Sequence, residues 1–523
     1  MKKTKKIVYI ALILIGMGLL PLIILRGWGS YQLWQTGRVK TPEGLNRWEE
    51  TVRKATTFPA GENLLKRPLW SAYIRETISR TEDEGWKPRP PATNAFSVWS
   101  REQSSRKELY TRWRPDKEMP EPAPRFQGLI PLEKIREEAA KEIPDNSYQK
   151  EELIEKKRLL NEMLLRYDVA DSSLTDEQKT AALLLDYING VHKATREEVK
   201  KDLEECNYYA FTKETFVESG GSKETPLPEV LLPHLAVFKG LCQNLSESAH
   251  WYAILGEREQ SLSELNSALD LASLKTGSPL LVDGLVRMAL VAITLDAVQK
   301  VIQNEVLQEE DLRQIQGRIS QLNMIAELQH ALEGEQLLGE AMIDACHVLP
   351  EGRGSMEYAK NRIPWPLRFT ARMIGFIQLN KASYRQTFWL WQDALEPKTQ
   401  TVNYEAWKKG AEGPKGFLYL LSRNLSLDLE KSCYRFFRCQ SQKDITILAC
   451  ALERYRLKEG AYPEKLEALI PDYLEAMPPG SGPPATLSYQ LSEEGEGYEL
   501  KANRLPDLQS EFSLEATWKR SRE

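Results

Sequence analysis

The chain has 523 residues, 41% of them hydrophobic and 28% charged, with a formal net charge of −5. That composition is too apolar for a disordered chain, and no basic stripe follows the N-terminus, so nucleic acid is not an expected partner. Five histidines, and six cysteines without a CxxC pair, offer little for a metal centre, a zinc ribbon or a thioredoxin-like motif.

Lys2, Lys3, Lys5 and Lys6 precede IVYIALILIGMGLLPLIIL, residues 7–25, which carry no charge. As one helix this run is about 28 Å long, the thickness of a bilayer core. The lysines favour a cytoplasmic tip at 1–6. The expectation is a single-pass protein of the cytoplasmic membrane. Its N-terminus is inside, its transmembrane helix is 7–27, the lipid bilayer is contacted through 7–25, and the bulk of the chain is extracytoplasmic. Trp28, Tyr31 and Trp34 suit the outer headgroup belt. A cleaved signal peptide is the rival reading. Against it, the apolar run exceeds the usual core of such a peptide and no Ala-x-Ala site follows.

Residues 28–131 read as a juxtamembrane helix plus a Pro/Trp-rich extended segment. Trp86, Trp99 and Trp113 stand among prolines that forbid a long helix. Two readings stay open: an aromatic groove that stacks a ligand such as a sugar, and a segment pinned to a helical body by its aromatics. A first helical region covers 132–228. Thr175-x-x-Gln178 and Thr195-x-x-Glu198 read as capping boxes that open two helices, with Gly190 ending the first. Residues 218–228, ESGGSKETPLP, form a loop and a seam.

The main helical body is expected over 229–457. CQNLSESAHWYAILGEREQSLSELNSALDLA resembles a tetratricopeptide-type hairpin. Tyr252, Gly256, Ser261, Leu265 and Ala268 fall where that repeat wants an aromatic, a tight turn, a small, a large apolar and a small residue. The following residues do not repeat it, so an irregular α-α layered body fits better than a solenoid. Around 366–390 the helix is apolar, but Arg368, Arg372, Lys381 and Arg385 interrupt it far short of a span. A Pro- and Gly-rich linkage at 397–415 precedes a last long helix, about 416–457. Cys433 and Cys439, on that helix, would lie about 9 Å apart along the axis and on different faces, too far to bridge. Buried free thiols are expected.

Ile445, Leu448, Leu452 and Tyr455 make one apolar stripe of the last helix. Gly460 ends it, because glycine takes a left-handed cap cheaply. Tyr462 leads into Pro463, which suits the first turn of a short helix. Leu466, Leu469 and Ile470 give that helix an inner face, and Pro471 stops it. Tyr473 and Leu474 can pack back from a second turn. ATLSYQL and YELKA alternate like a two-stranded hairpin. The stretch reads as a structural cap, a small α+β lobe over 458–523.

The pattern A-x-E-x-Y-R-x-x-x-G-x-Y-P-x-x-L-x-x-L-x-P-x-Y-L is carried here by Tyr455, Gly460, Tyr462, Pro463, Leu466, Leu469 and Tyr473. It resembles the region after the long helix in major pseudopilins of type II secretion systems. It also resembles the tail of a group of uncharacterised single-span bacterial proteins with helical bodies. That likeness extends to the hairpin near 250 and to ALEGEQLLGEAM near 331. Neither resemblance implies an activity. The lysines run directly into Ile7 with no pseudopilin leader, and PPGSGPPATLSY replaces the loop that can carry calcium ligands. Leader processing and calcium binding are therefore not implied.

Glu327-x-x-His330 and Asp344-x-x-His347 each put a carboxylate and an imidazole on one helical face. In one helix the two pairs would point about 100° apart, which defeats a di-iron site. No P-loop, dinucleotide fingerprint or nucleophile elbow occurs in a usable setting. No catalytic, cofactor-binding or metal residue is assigned. The expected fold class is mainly α: an irregular layered helical body, partly tetratricopeptide-like, with an N-terminal transmembrane helix and the small C-terminal lobe. The expected role is a membrane-anchored extracytoplasmic scaffold with an unidentified protein partner. The alternatives are an extracytoplasmic enzyme acting on envelope carbohydrate and a secretion-system accessory.

Overall fold

Leu-, Ala- and Glu-rich runs with apolar residues three and four apart form helices that bury those stripes against one another. The computed structural model describes residues 62–83, 140, 173–189, 193–211, 213–221, 232–277, 280–348, 376–413, 419–478, 486–492, 495–503 and 516–520. These residues are mostly helical, with a few small sheets. Residues 7–25, Trp86, Trp99, Trp113 and Gly190 lie outside them. Among the described residues, no helix is long and apolar enough to cross a membrane.

The first helices are α1 (Pro68–Asp83), α2 (Asp176–Asn189), α3 (Lys193–Glu205) and α4 (Lys213–Glu218). The capping box before α2 forms: Gln178 N–H donates to Thr175 Oγ1 at 3.2 Å, and Thr175 N–H to Gln178 Oε1 at 3.1 Å. The one expected at Thr195 does not. Helix α3 already begins at Lys193, so Thr195 sits inside it and is buried.

Helices α5 (Pro233–Ile254) and α6 (Arg258–Ser273) form the expected hairpin. Helices α7 (Leu281–Gln303), α8 (Glu309–Ser320), α9 (Met324–Val348) and α10 (Phe376–Ala394) continue the body. The expected linkage at 397–415 is instead partly folded. Strands β3 (Leu395–Glu396) and β4 (Thr401–Val402) pair as a hairpin, and α11 (Tyr404–Glu412) follows. Asn403 Oδ1 accepts the Ala406 N–H at 3.1 Å, capping α11. Trp407 is fully buried and stacks on Trp391, ring centroids 5.2 Å apart. One buried tryptophan and one cap thus outweigh a turn-like composition.

Helix α12 (Leu420–Glu459) is the axis of the molecule, with 40 residues. Two buried clusters share it. Cys433, Phe436 and Phe437 pack with residues of α9, α10 and α11. Ile445, Leu448 and Leu452 pack with α5 to α8 and with the tail. Cys206, Cys242, Cys433, Cys439 and Cys450 are free and buried.

Short strands β1 (Tyr208–Tyr209) and β2 (Lys275–Thr276) pair in parallel. The C-terminal sheet has three antiparallel strands in the order β5 (Thr486–Leu491), β6 (Tyr498–Asn503) and β7 (Ala516–Arg520). The β5–β6 hairpin matches the expectation; β7 adds a strand to it. Tyr498, Leu500 and Trp518 lie in the same buried cluster as Leu245, Leu265 and Leu312. The core therefore runs unbroken across the boundary drawn at 458.

Candidate functional site

The tail motif gathers on one carboxylate. Glu453, buried on α12, accepts from Tyr462 Oη at 2.7 Å and from Arg456 Nε at 2.9 Å. Arg520 Nε, at the end of β7, lies 3.4 Å from the same carboxylate. Arg520 also donates to Glu305 at 2.6 Å and to the Gln303 carbonyl at 2.9 Å. Burial and the Glu453 charge push the Tyr462 phenol up, so it stays a donor. Its ring meets Tyr498 edge-on, centroids 4.9 Å apart. One residue along, Arg454 joins Glu309 at 2.8 Å, Gln316 at 3.1 Å and the Tyr473 carbonyl at 3.2 Å.

Gly460 has φ +84°, and its N–H donates to the Arg456 carbonyl at 2.8 Å, closing α12 with the left-handed cap the sequence calls for. Pro463 is buried, and its carbonyl accepts from Tyr489 Oη at 2.7 Å. It does not start a helix. The turn is a 3-10 helix over Leu466–Leu469, with Lys465 before it. A three-residue period stacks Leu466 on Leu469, both buried. The same period turns Ile470 outward, 38% exposed, so Ile470 does not belong to the inner face. Tyr455 packs on Tyr473 with centroids 5.4 Å apart. Tyr455, Gly460, Tyr462, Pro463, Leu466, Leu469 and Tyr473 thus converge on the C-terminal end of α12. This arrangement can hold a tail in place, and the Glu453 carboxylate, the Tyr462 phenol and the Arg454 guanidinium are engaged in doing so.

Gly256 and Ala268 belong to the α5–α6 hairpin. Gly256 has φ +75°, which lets the chain reverse within three residues. Ala268 and Leu265 are fully buried, and Ser261 Oγ donates to the Ala249 carbonyl at 2.7 Å. Small residues here allow the two helices to approach closely.

Helix α9 runs unbroken through Gly334 and Gly339, so the two carboxylate–histidine motifs share one helix. Glu327 is held by Arg287 at 2.9 Å. Among the described residues, no three metal-ligating side chains converge.

Two polar groupings were not singled out from the sequence. Glu247 and His250 lie one turn apart on α5. Burial raises the Glu247 carboxyl to about 7 and, with Lys300, lowers His250 to about 4. Asn304 Nδ2 stands 3.5 Å from His250 Nδ1, and Lys300 pairs with Asp296 at 3.0 Å. The Glu-x-x-His spacing in SESAHWY carried the signal. The second grouping centres on buried Asp283, which accepts from Tyr209 Oη and Thr276 Oγ1, each at 2.9 Å. His234 Nε2 lies 4.0 Å from Asp283, too far for a hydrogen bond. Its ring sits among Tyr209, Phe211 and Phe238 with neither nitrogen bonded. Burial lowers His234 to about 3, so the imidazole is neutral. No protein-family model matches the chain, and neither the curated proteins nor the solved structures give a match.

Proposed function

We propose that the chain is a membrane-anchored, extracytoplasmic helical scaffold that holds a protein partner. The observation that carries this reading is how the body's interior charges are used. Arg196 joins Glu264 across α3 and α6 at 2.6 Å. Arg258 joins Asp311 across α6 and α8 at 2.6 Å. Arg385 holds Glu340 across α10 and α9, at 2.6 Å from its Nε, and Arg454 ties α12 to α8 through Glu309. Such paired, hydrogen-bonded charges join one helix to another, and removing one partner strands the other. A frame tied in this way suits a protein whose task is to present a fixed surface.

The irregular α-α layering and the tetratricopeptide-like hairpin are the finer parts of this reading. Grooves between such helices accept peptides and partner helices. The lysine-flanked run at 7–25 supports the anchor. The carbohydrate-enzyme and secretion-accessory alternatives rest on the tryptophan-rich segment and the tail resemblance, and no described geometry adds to either.

Photo-crosslinking in intact membranes tests the proposal. A crosslinkable residue at exposed Gln260 or Ser263 of α6 should give discrete adducts with a protein, and one at exposed Arg435 of α12 should not. Adducts absent from both hairpin positions would count against a scaffold that uses this face.

A further inference from the structure

Among the described residues, strand β5 pairs on one side only and leaves its outer side, one edge of the three-stranded sheet, open. The Ser492 N–H donates to the Gly497 carbonyl at 2.9 Å. That bond fixes the alternation of the antiparallel ladder. Thr486, Ser488 and Gln490 therefore turn their backbone groups toward β6, and Leu487, Tyr489 and Leu491 turn theirs away. Among the described residues, no group hydrogen-bonds to these outward N–H and C=O groups.

The other edge of the sheet is protected. The same alternation turns the Lys519 carbonyl outward, and Gln303 Nε2 donates to it at 3.3 Å. Arg520 pins the end of that strand to Glu305 and to the Gln303 carbonyl. Natural edges are blunted by charge, proline, bulges or cover. TLSYQL has no charge and no proline, and its pairing with β6 is regular through all six positions.

We propose that β5 pairs antiparallel with β5 of a second copy of this chain, joining the two sheets across a two-fold axis at Tyr489. This register is the one that engages all three outward residues. Tyr489 faces Tyr489 of the second copy, and Leu487 faces its Leu491. Each such pair exchanges two backbone bonds, about six in all. On the exposed face Ser488 opposes Gln490, so no like charges meet. A self-complementary strand suits an isologous contact, where one patch serves both copies. Helix α12 packs under β6 and β7, set back from the open edge. Leu487, Tyr489 and Leu491 are already half-buried against the core, so the pairing adds backbone bonds and leaves the inner face in place.

The test uses the full-length protein in detergent, with mass measured by light scattering and the micelle subtracted. Wild type should be a dimer. Ser488→Lys with Gln490→Lys places like charges across the new seam and should weaken self-association at least tenfold. Ser488→Glu with Gln490→Glu should do the same. Mixing the two variants should restore a dimer that contains one of each. Both positions changed, Ser488 and Gln490, face solvent, and unchanged helical circular dichroism confirms the fold. A monomeric wild type overturns the proposal. So does a Lys variant that dimerises like wild type, or a mixture that stays monomeric. Amide exchange adds a further readout: slow exchange at Leu487, Tyr489 and Leu491 in the monomeric Lys variant would mean that another segment of the same chain covers the edge, which also overturns it.

Discussion

At the scale of single residues, the tail motif is explained by what each side chain bonds. The phenol of Tyr462 is one of two hydrogen-bond donors on the Glu453 carboxylate, with Arg520 as an ion-pair neighbour. Tyr462→Phe should lower stability by about 1–3 kcal/mol, the range for leaving a buried acceptor short of a donor. Chemical denaturation at neutral pH checks this, and a change below a few tenths would deny the phenol its role. Buried His234 makes a different prediction. Its pKa falls to about 3 in the folded chain against an ordinary 6.5, because burial penalises the charged ring. The unfolded chain therefore binds more protons between those values, and stability is lost as pH falls from about 6.5. His234→Leu should flatten that loss, stabilising the protein more at pH 5 than at pH 8 relative to wild type. Parallel stability–pH curves for the two proteins would contradict this. His234 escaped notice in the sequence for a physical reason. A lone histidine takes its character from burial, and burial comes from helices distant in the chain.

At the scale of elements, local signals were legible where a single residue decides the backbone. Gly460 stops α12, Gly256 turns the α5–α6 hairpin, and Thr175 with Gln178 caps α2. Alternation located β5 and β6. The elements that were misread depend on contacts made elsewhere. Helix α11 is held by Trp407 under Trp391, and the short turn begins at Leu466 because Leu466 and Leu469 stack at a three-residue period. Strand β7 is five residues whose pairing is fixed by β6 and by the partners of Arg520, Glu305 and the Gln303 carbonyl, none of which is written into ATWKR itself. Leu469 tests how the tail is joined to the body. It is fully buried, in the same cluster as Leu312 and Leu448. Leu469→Ala should cost about 2–5 kcal/mol, the usual range for a buried leucine. Because the core is shared, that loss should lower one cooperative transition reported alike by tail and body. Two separated transitions, with the body unmoved, would restore a detached lobe.

At the scale of the whole molecule, α12 joins two buried clusters, and salt bridges tie the surrounding helices into one frame. Placing that frame at the outer face of a membrane is the central proposal. It rests on the uncharged run at 7–25 and the four lysines before it. Among the described residues no second span competes with it, and α10 buries Tyr384, Phe388 and Trp391 within the body. The most direct measurement is a pair of topology reporters, one fused after residue 40 and one at the C-terminus, in cells carrying the full chain. Both should read extracytoplasmic, with the protein in the membrane fraction. A cytoplasmic signal from the C-terminal fusion would contradict the proposed topology and, with it, the extracytoplasmic scaffold.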